Sequence, residues 1–459
     1  MKDGIASIAV AVAKGDEILL EEGFGWANRE KMIPSNPNIM YSLASISKPI
    51  TATALMILKE RGLIDLDRPV NDYLDDAKLT AWIGKAEDAT VRMIANHTSG
   101  LPVHCHFFYE DENYPKPSMD ETIRRYGNIV SIPGERYQYC NLGYGILDYI
   151  ISRLSGKSYA DFMREEVFLP LDMTRSSINI DKGLRKYQAI RYGTDKKIVP
   201  FYDFDHPGGS AVFSSVHDLV RFGMFHLKAH LPNQRAILSD ESIDEMQVGT
   251  ADMGNGNRYG IGWAICQNSY GYRVSWHNGL MGGVNTTLML VPDEKIVVTV
   301  LANSNTNQHE IICREILSAM LPKYAENLAI AESKKKSNTD QTAMEFIPTS
   351  ELIGEWNGKI VTYKEHIPIT FWFKESRDVV VKIGDQLKTL LNDVVFRDGY
   401  LFGRMIGDIK TEDANRHPYH LHITMKLRDK VLNGSITAIT HPKDRFGNAL
   451  SHWIEIIKK

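Results

Sequence analysis

A mixed α+β domain followed by a small antiparallel β-barrel is the architecture the sequence predicts, on three observations. First, AESKKKSNTDQTAMEF, Ala331 to Phe346, is polar and lysine-rich and reads as a linker. Second, stretches of helical and strand character mix along the chain before it. Third, the runs after it (ITFWFKES, DVVVKIG, YLFGRMI, YHLHITMKL and LNGSITAIT) are short, aromatic or β-branched, and separated by turns, as in an all-β module. The expected division is 1–330 for the first domain, 331–347 for the linker and 348–459 for the barrel.

Each element follows from its local pattern. Ile5 to Ala13 is an apolar run too short for a membrane span. It leads into a turn at Gly15-Asp16, so it reads as the first strand of a hairpin rather than a signal peptide. Pro49 to Arg61 carries apolar residues at helical spacing and stops at Gly62. Leu142 to Leu154 repeats the pattern and stops at Gly156. TTLMLVPDEKIVVTVLANS, Thr286 to Ser304, gives two strands around Pro292-Asp293, and a helix follows over Glu310 to Leu321.

Composition narrows the function classes. The 459 residues are 43% apolar, enough for large cores, and the net charge of −4 argues against a nucleic-acid binder. Cys105, Cys140, Cys266 and Cys313 are scattered without a CxxC pair, so reduced thiols and a cytoplasmic location are expected.

Chemistry concentrates in YSLASISKPI, Tyr41 to Ile50. Only Ser45 stands three residues before Lys48, so a helix beginning near Ser45 puts both on one face. A helix start also favours developing negative charge at the Ser45 N–H. The bland alternative is an ordinary N-cap serine. A second Ser-x-x-Lys, Ser333 to Lys336, lies in the linker with no apolar helix behind it and is set aside. Tyr139-Cys140-Asn141 precedes a helix. A tyrosine beside a lysine becomes a base if its pKa falls from about 10 to about 7, roughly 4 kcal/mol of bias. Tyr126-Gly127-Asn128 is a decoy without such a helix, and Tyr139 itself can be read as a packed aromatic. His277-Asn278-Gly279 is placed on a strand. Gly279 is expected to admit a substrate backbone, and the N–H of Leu280 to pair with that of Ser45 as an oxyanion hole. A lone strand histidine is more often structural; the coincidence of three features carries the argument.

In this order the three pieces resemble the penicillin-recognising serine hydrolases: class C β-lactamases, DD-carboxypeptidases, D-aminopeptidases and related esterases. The resemblance covers about Gly4 to Leu321, with support from IANHTSGLP, PGGSAVFSSVHDLVRF and VPDEKIVVTVLANS. It implies a β-lactamase/transpeptidase-like domain, an antiparallel sheet flanked by helices plus a helical lobe, with the site between them. Ser45 is then the acylated nucleophile, Lys48 and Tyr139 share the base work, Asn141 bonds the substrate amide, and His277, Gly279 and Leu280 form the third motif. His97 of HTSGLP is expected to fix a turn. β-Lactamases generally carry lysine where His277 stands. A mostly neutral histidine attracts a carboxylate less, so D-amino-acid peptidase, amidase or carboxylesterase activity ranks above β-lactamase or DD-carboxypeptidase. The rival from another class is a non-catalytic binder of the same fold. Relatives usually carry a helix ahead of the first strand, so that helix is expected to be missing or the start mis-set.

LIGEWNGKI and the β runs after it look like the lipocalin-like barrel of some relatives, which either shapes the substrate site or packs as an accessory. A small-molecule or short-peptide substrate is expected, with no metal or organic cofactor. His104-Cys105-His106 with Glu110, Asp111 and Glu112, and His420 with His422, lack the spacing of a known zinc site. HCHFFYEDENYPKP is instead expected to form a lid whose aromatics bind an apolar acyl group.

Overall fold

The computed structural model describes residues 4–180, 183–337, 346–440 and 445–459. Two large antiparallel sheets organise the chain. The first uses β1 (Ser7–Lys14), β2 (Glu17–Asn28), β3 (Ile33–Pro34), β4 (Ala251–Gly254), β5 (Asn257–Tyr259), β6 (Ala264–Ser269), β7 (Tyr272–Met281), β8 (Val284–Val291) and β9 (Ile296–Ala302), in the order β4-β5-β6-β7-β8-β9-β1-β2-β3. The β1–β2 hairpin turns at Gly15-Asp16, where Gly15 takes φ +62°.

Side-chain alternation sends the two faces of this sheet to different partners. On β1, Ala9, Ala11 and Ala13 join the main core, while Ile8, Val10 and Val12 join a second cluster. Helix α1 (Ser47–Glu60) is buried from Ser47 to Leu58 and runs through the centre of the main core. Helix α2 (Asn141–Ser155) ends at Gly156, whose φ of +70° suits a left-handed cap. Helix α3 (Val216–His226) packs on the same side of the sheet. The other face is covered by α4 (Gln308–Met320) and α5 (Pro322–Ser337), through Cys313, Leu317, Leu321 and Tyr324. Helix α5 continues to Ser337, so the first part of the expected linker is helical; residues 338–345 lie outside the described residues.

The C-terminal sheet uses β10 (Gly354–Val361), β11 (His366–Phe373), β12 (Val379–Ile383), β13 (Thr389–Leu390), β14 (Asn392–Arg397), β15 (Tyr400–Met405), β16 (Tyr419–Arg428), β17 (Val431–Thr440) and β18 (Ala449–Lys458). Their order is β13-β12-β11-β10-β18-β17-β16-β15-β14, all antiparallel, and the sheet curls into a nearly closed barrel. Trp356, Phe371, Phe373, Leu421, Ile436 and Ile454 are buried in its core. His420 and His422 alternate with buried Leu421 and Ile423, on the opposite face of β16.

The barrel is fastened to the first region by specific contacts. Asp413, with a fully buried side chain, accepts from Tyr126 at 2.5 Å and from Arg125 at 3.0 Å. Lys426 and Arg428 hold Glu135, and Trp82 stacks on Trp453 with ring centroids 6.2 Å apart. The expected lid, HCHFFYEDENYPKP, is a fixed wall. Phe107–Tyr109 pairs with Tyr202–Phe204, and Cys105 exchanges backbone hydrogen bonds with Ala449 of β18. A lid needs an exposed, weakly bonded segment, but His104, His106, Phe107 and Phe108 are all buried.

Among the described residues no helix is long and apolar enough to cross a membrane.

Candidate active site

Ser45 sits in a single 3-10 turn, Ala44–Ile46, that runs directly into α1. Ala44 takes φ +50°, an unusual conformation for a residue with a Cβ, immediately before the serine. Gly279 explains how that turn is held. A Cβ on Gly279 would lie 2.1 Å from Leu43 O and 3.0 Å from Ala44 Cβ. The glycine therefore admits the backbone of the serine turn, which corrects the expectation that it admits a substrate backbone. Thr286 adds a hydrogen bond to Leu43 O at 2.9 Å.

Lys48 is completely buried, and its Nζ has three neighbours: Asn141 Oδ1 at 2.6 Å, Gly209 O at 2.9 Å and Ser45 Oγ at 3.3 Å. The first two accept only. They fix two N–H bonds and leave the third position toward Ser45, a proton on the ammonium or a lone pair on the amine. Burial pushes the Lys48 pKa down to about 7, with Cys105 and Cys140 working the other way. Tyr139 is within hydrogen-bonding reach of Ser45, and Lys48 Nζ lies 4.7 Å from its ring centroid. Burial holds the Tyr139 phenol well above its ordinary pKa, and the Ser45 hydrogen bond only opposes it. The lysine field does not lower the tyrosine as expected; desolvation favours the neutral form of both groups, which makes the Lys48 amine rather than a Tyr139 phenolate the accessible base.

Strand β7 supplies the third motif through a mismatch in strand length. Strand β6 follows it only to Trp276, whereas β8 follows it to Met281. Beyond Trp276 one edge of β7 is free of the ladder, and His277, Asn278, Leu280 and Met281 line the cavity there. Both nitrogens of His277 are engaged. Nδ1 is 2.8 Å from Asn278 O, so it carries the proton, and Nε2 accepts from Tyr259 OH at 2.9 Å. Burial, aided by Lys48, pushes its pKa down to about 3. The ring is neutral and has no lone pair to spare for proton transfer. His97 takes φ +66° and accepts the Cys140 N–H at 3.2 Å, which holds the turn carrying Tyr139.

Ser45, Tyr139, Asn141, His277 and Leu280 thus border one cavity of about 490 Å³, with Lys48 and Gly279 directly behind it. Its remaining wall includes Val103, Phe107, Tyr137, Met253, Trp276 and Phe446, and among the described residues no Lys, Arg, Asp or Glu lines it. Phe446 comes from the C-terminal region. Its backbone N–H and C=O both bond Tyr109 OH, and its ring meets Phe107 at 5.3 Å. Asn141 Nδ2 donates to His104 O at 3.1 Å and Cys105 Sγ at 2.8 Å, so both ends of this amide are already held by the protein.

Sequence reasoning missed Ala44, Cys105, Phe446 and a buried cluster around Asp205. The HCH run was one signal for that cluster; the other was the Asp205-His206 pair just ahead of PGGS. Among the described residues, His104, Asp205 and His206 are the one such group close enough to hold a metal ion. Their protons fit a hydrogen-bonded carboxylate better. An ion would take the lone pairs of His104 Nε2 and His206 Nδ1. His104 Nδ1–H and His206 Nε2–H would then be buried donors without acceptors, where a metal-bound histidine ordinarily donates. With the protons on the facing nitrogens, both reach Asp205, at 2.7 and 2.6 Å. In the set examined from sequence, Asp111 and Glu112 are instead bound by Arg445, with Arg416 and His417 also on Glu112.

Comparison with known proteins agrees with this geometry. The Beta-lactamase family model matches residues 1–317. Penicillin-binding protein 4* of Bacillus subtilis (strain 168) is 27% identical over 325 residues, 64% of this chain and 67% of that one. Protein flp of Staphylococcus aureus (strain MRSA252) is 24% identical over 310 residues, covering 66% of this chain but 61% of its own length. The octameric penicillin-binding protein homologue from Pyrococcus abyssi superposes with a TM-score of 0.60 at 23% identity, over 99% of this chain and 96% of that one. A class C beta-lactamase superposes at 0.58 and 18% identity, over 68% of this chain and 90% of that one. At these identities the two structures establish likeness of fold.

Proposed function

Because the chain belongs to the Beta-lactamase family, we propose that it is a serine hydrolase forming an acyl-enzyme at Ser45 on esters or amides of uncharged, apolar acyl groups. One observation carries the substrate class: the cavity beside Ser45 is walled by aromatic and aliphatic side chains, and among the described residues no charged one lines it. A β-lactam or peptide carboxylate finds no cation on that lining, and neutral His277 does not replace one. The α-ammonium of a free D-amino-acid amide finds no carboxylate among those described lining residues either. Carboxylesterase activity, or amidase activity on blocked substrates, therefore fits better than β-lactamase, DD-carboxypeptidase or D-aminopeptidase activity.

In the mechanism, Lys48 as the free amine takes the Ser45 proton while Oγ bonds to the carbonyl carbon. The Ser45 and Leu280 N–H groups receive the oxyanion. Tyr139, held as a phenol, passes its proton to the departing alkoxide or amine and recovers one from Lys48. Water then attacks the ester carbonyl by the reverse proton path, releasing the acid and restoring Ser45.

Treatment with a fluorophosphonate, followed by intact-mass measurement and peptide mapping, tests the reading. One adduct on Ser45 is expected, with medium-chain p-nitrophenyl esters cleaved faster than penicillin or D-alanine amide. Folded protein that takes no adduct would leave the non-catalytic binder as the better account. Preferred cleavage of penicillin would overturn the substrate class.

A further inference from the structure

Two separate pieces of chain supply the acceptors that fix Lys48. Gly209 O lies at the end of the segment that begins at Asp205 and His206, and the Gly209 N–H bonds His206 O at 3.0 Å. Asn141 Oδ1 is the other acceptor, and Asn141 is steadied in turn by His104 O and Cys105 Sγ. Neither segment is part of α1, so the position of Lys48 Nζ depends on how these pieces are held to each other.

Asp205 joins them. One carboxylate oxygen takes a hydrogen bond from His104 Nε2 at 2.7 Å and the other from His206 Nδ1 at 2.6 Å. The three side chains are almost wholly buried. A third histidine completes the cluster: Arg416 donates to His106 Nε2 at 2.9 Å, so His106 Nδ1 carries the proton and faces Asp205 at 3.7 Å. Burial works against the Asp205 charge, but His104 and then His206 outweigh it and hold the carboxyl well below its usual range. The path Lys48–Asn141–His104–Asp205–His206–Gly209–Lys48 closes on itself.

We propose that Asp205, gripped by His104 and His206, is a positioning group for Lys48: it clamps together the two segments whose acceptors aim the lysine at Ser45. This deepens the reading of Ser45 and Lys48 as a working pair and rests on it. Asp205 touches no reacting atom and acts only through these segments and its charge. The titratable groups facing Lys48 are Tyr139, Cys140 and Tyr144 at α2, His97 in its loop, Cys105 in the wall, His206 beside Gly209 and His277 on β7. Burial raises the tyrosines and cysteines and lowers the histidines, so all of them are neutral near pH 7. Burial pushes the carboxyl of Asp148, which accepts the Gly208 N–H, well above its ordinary range. Asp205, held as a carboxylate, adds negative charge behind these groups, so its loss is expected to disfavour the ammonium form of Lys48 at longer range.

The test pairs Asp205→Asn with two substitutions of His206. His206→Asn keeps a donor where Nδ1 stands, and His206→Leu removes it. Two quantities are read: the maximal rate and half-saturation of fluorophosphonate labelling, and the titration midpoint of Lys48 by ¹³C-lysine NMR, assigned with Lys48→Arg. Asp205→Asn and His206→Leu are expected to slow maximal labelling about 100-fold with half-saturation unchanged, the scale of a misplaced catalytic group. His206→Asn is expected to restore most of the rate, and in Asp205→Asn the Lys48 midpoint moves to lower pH. A folded Asp205→Asn protein with wild-type rate and midpoint overturns the proposal. So does a rate loss with an unmoved midpoint and no rescue by His206→Asn, which marks a merely structural role. If Asp205→Asn does not fold, the two His206 variants decide by the same readings. If wild-type Ser45 is never labelled, the family-based mechanism fails separately and the Lys48 midpoint alone decides this inference.

Discussion

The two large sheets of this protein both have nine antiparallel strands, yet they solve the burial problem in opposite ways. The first stays open and covers both faces with helices, so its apolar side chains are spent on either side. Chemistry is left to a strand edge, where β6 stops at Trp276 and β7 continues to Met281. The second curls on itself and fills its interior with Trp356, Phe371 and their neighbours. It offers only its rim, and the rim meets the site: Phe446 in the cavity wall, Ala449 paired with Cys105, and Arg416 on His106. An open sheet builds a site from its own irregularity; a filled barrel contributes by leaning on a neighbour.

Substitutions at Ser45 and Lys48 test the open-sheet half of that contrast and carry the largest effects. Ser45→Ala and Lys48→Ala should each lower ester hydrolysis by about a thousandfold or more, and the double variant should be little worse, because the two act as a unit. Full additivity would separate them. The same unit sets the pH profile. Lys48 acts as the amine, so the labelling rate of Ser45 should fall about tenfold per unit below its pKa of about 7 and level off above it. An acid limb near pH 4 would give the base role to another group.

Asp413→Ala tests whether the barrel acts by docking. It leaves Arg125 and Tyr126 facing an unfilled polar site, so a loss of about 3 kcal/mol is expected in urea unfolding, the cost of breaking a buried charged pair. Activity should fall with it. Wild-type activity in a destabilised protein would show that the barrel is an accessory. The smallest effect is expected from Phe446→Ala: about a tenfold loss in kcat/KM for medium-chain esters and less for acetate esters, as for a shortened apolar subsite. Equal losses for both would remove Phe446 from acyl recognition.

What the sequence made legible follows the range of each interaction. Ser45 and Lys48 are joined by one helical turn, the hairpin at Gly15-Asp16 by a two-residue loop, and the helix stops at Gly62 and Gly156 by local backbone geometry. Each is written within a few residues. The three motifs border one cavity: two lie where a helix begins, at Ser45 and at Asn141, and the third on the stretch of β7 that β6 leaves unpaired. The reason for Gly279 was misjudged because its crowding partner is Leu43, far away in sequence. The Tyr139 pKa was misjudged because spacing reports a neighbouring charge but not burial. HCHFFYEDENYPKP has a lid's composition. It is a wall because β18 and Tyr202–Phe204 claim its backbone, and that pairing spans more than 300 residues on one side. Tyr126, set aside as a decoy, is a barrel anchor for the same reason.

The long reach of β18 bears on the order of assembly. Ser45 and Lys48 emerge early in synthesis, and the first sheet can close once β9 is available to pair with β1. The wall at Cys105 waits for Ala449, and the cavity waits for Phe446, hundreds of residues later. Contacts of such separation form slowly. A nascent chain therefore carries Ser45 and Lys48 well before it carries a finished pocket, and the cavity between them and Phe446 is walled only once β18 has paired.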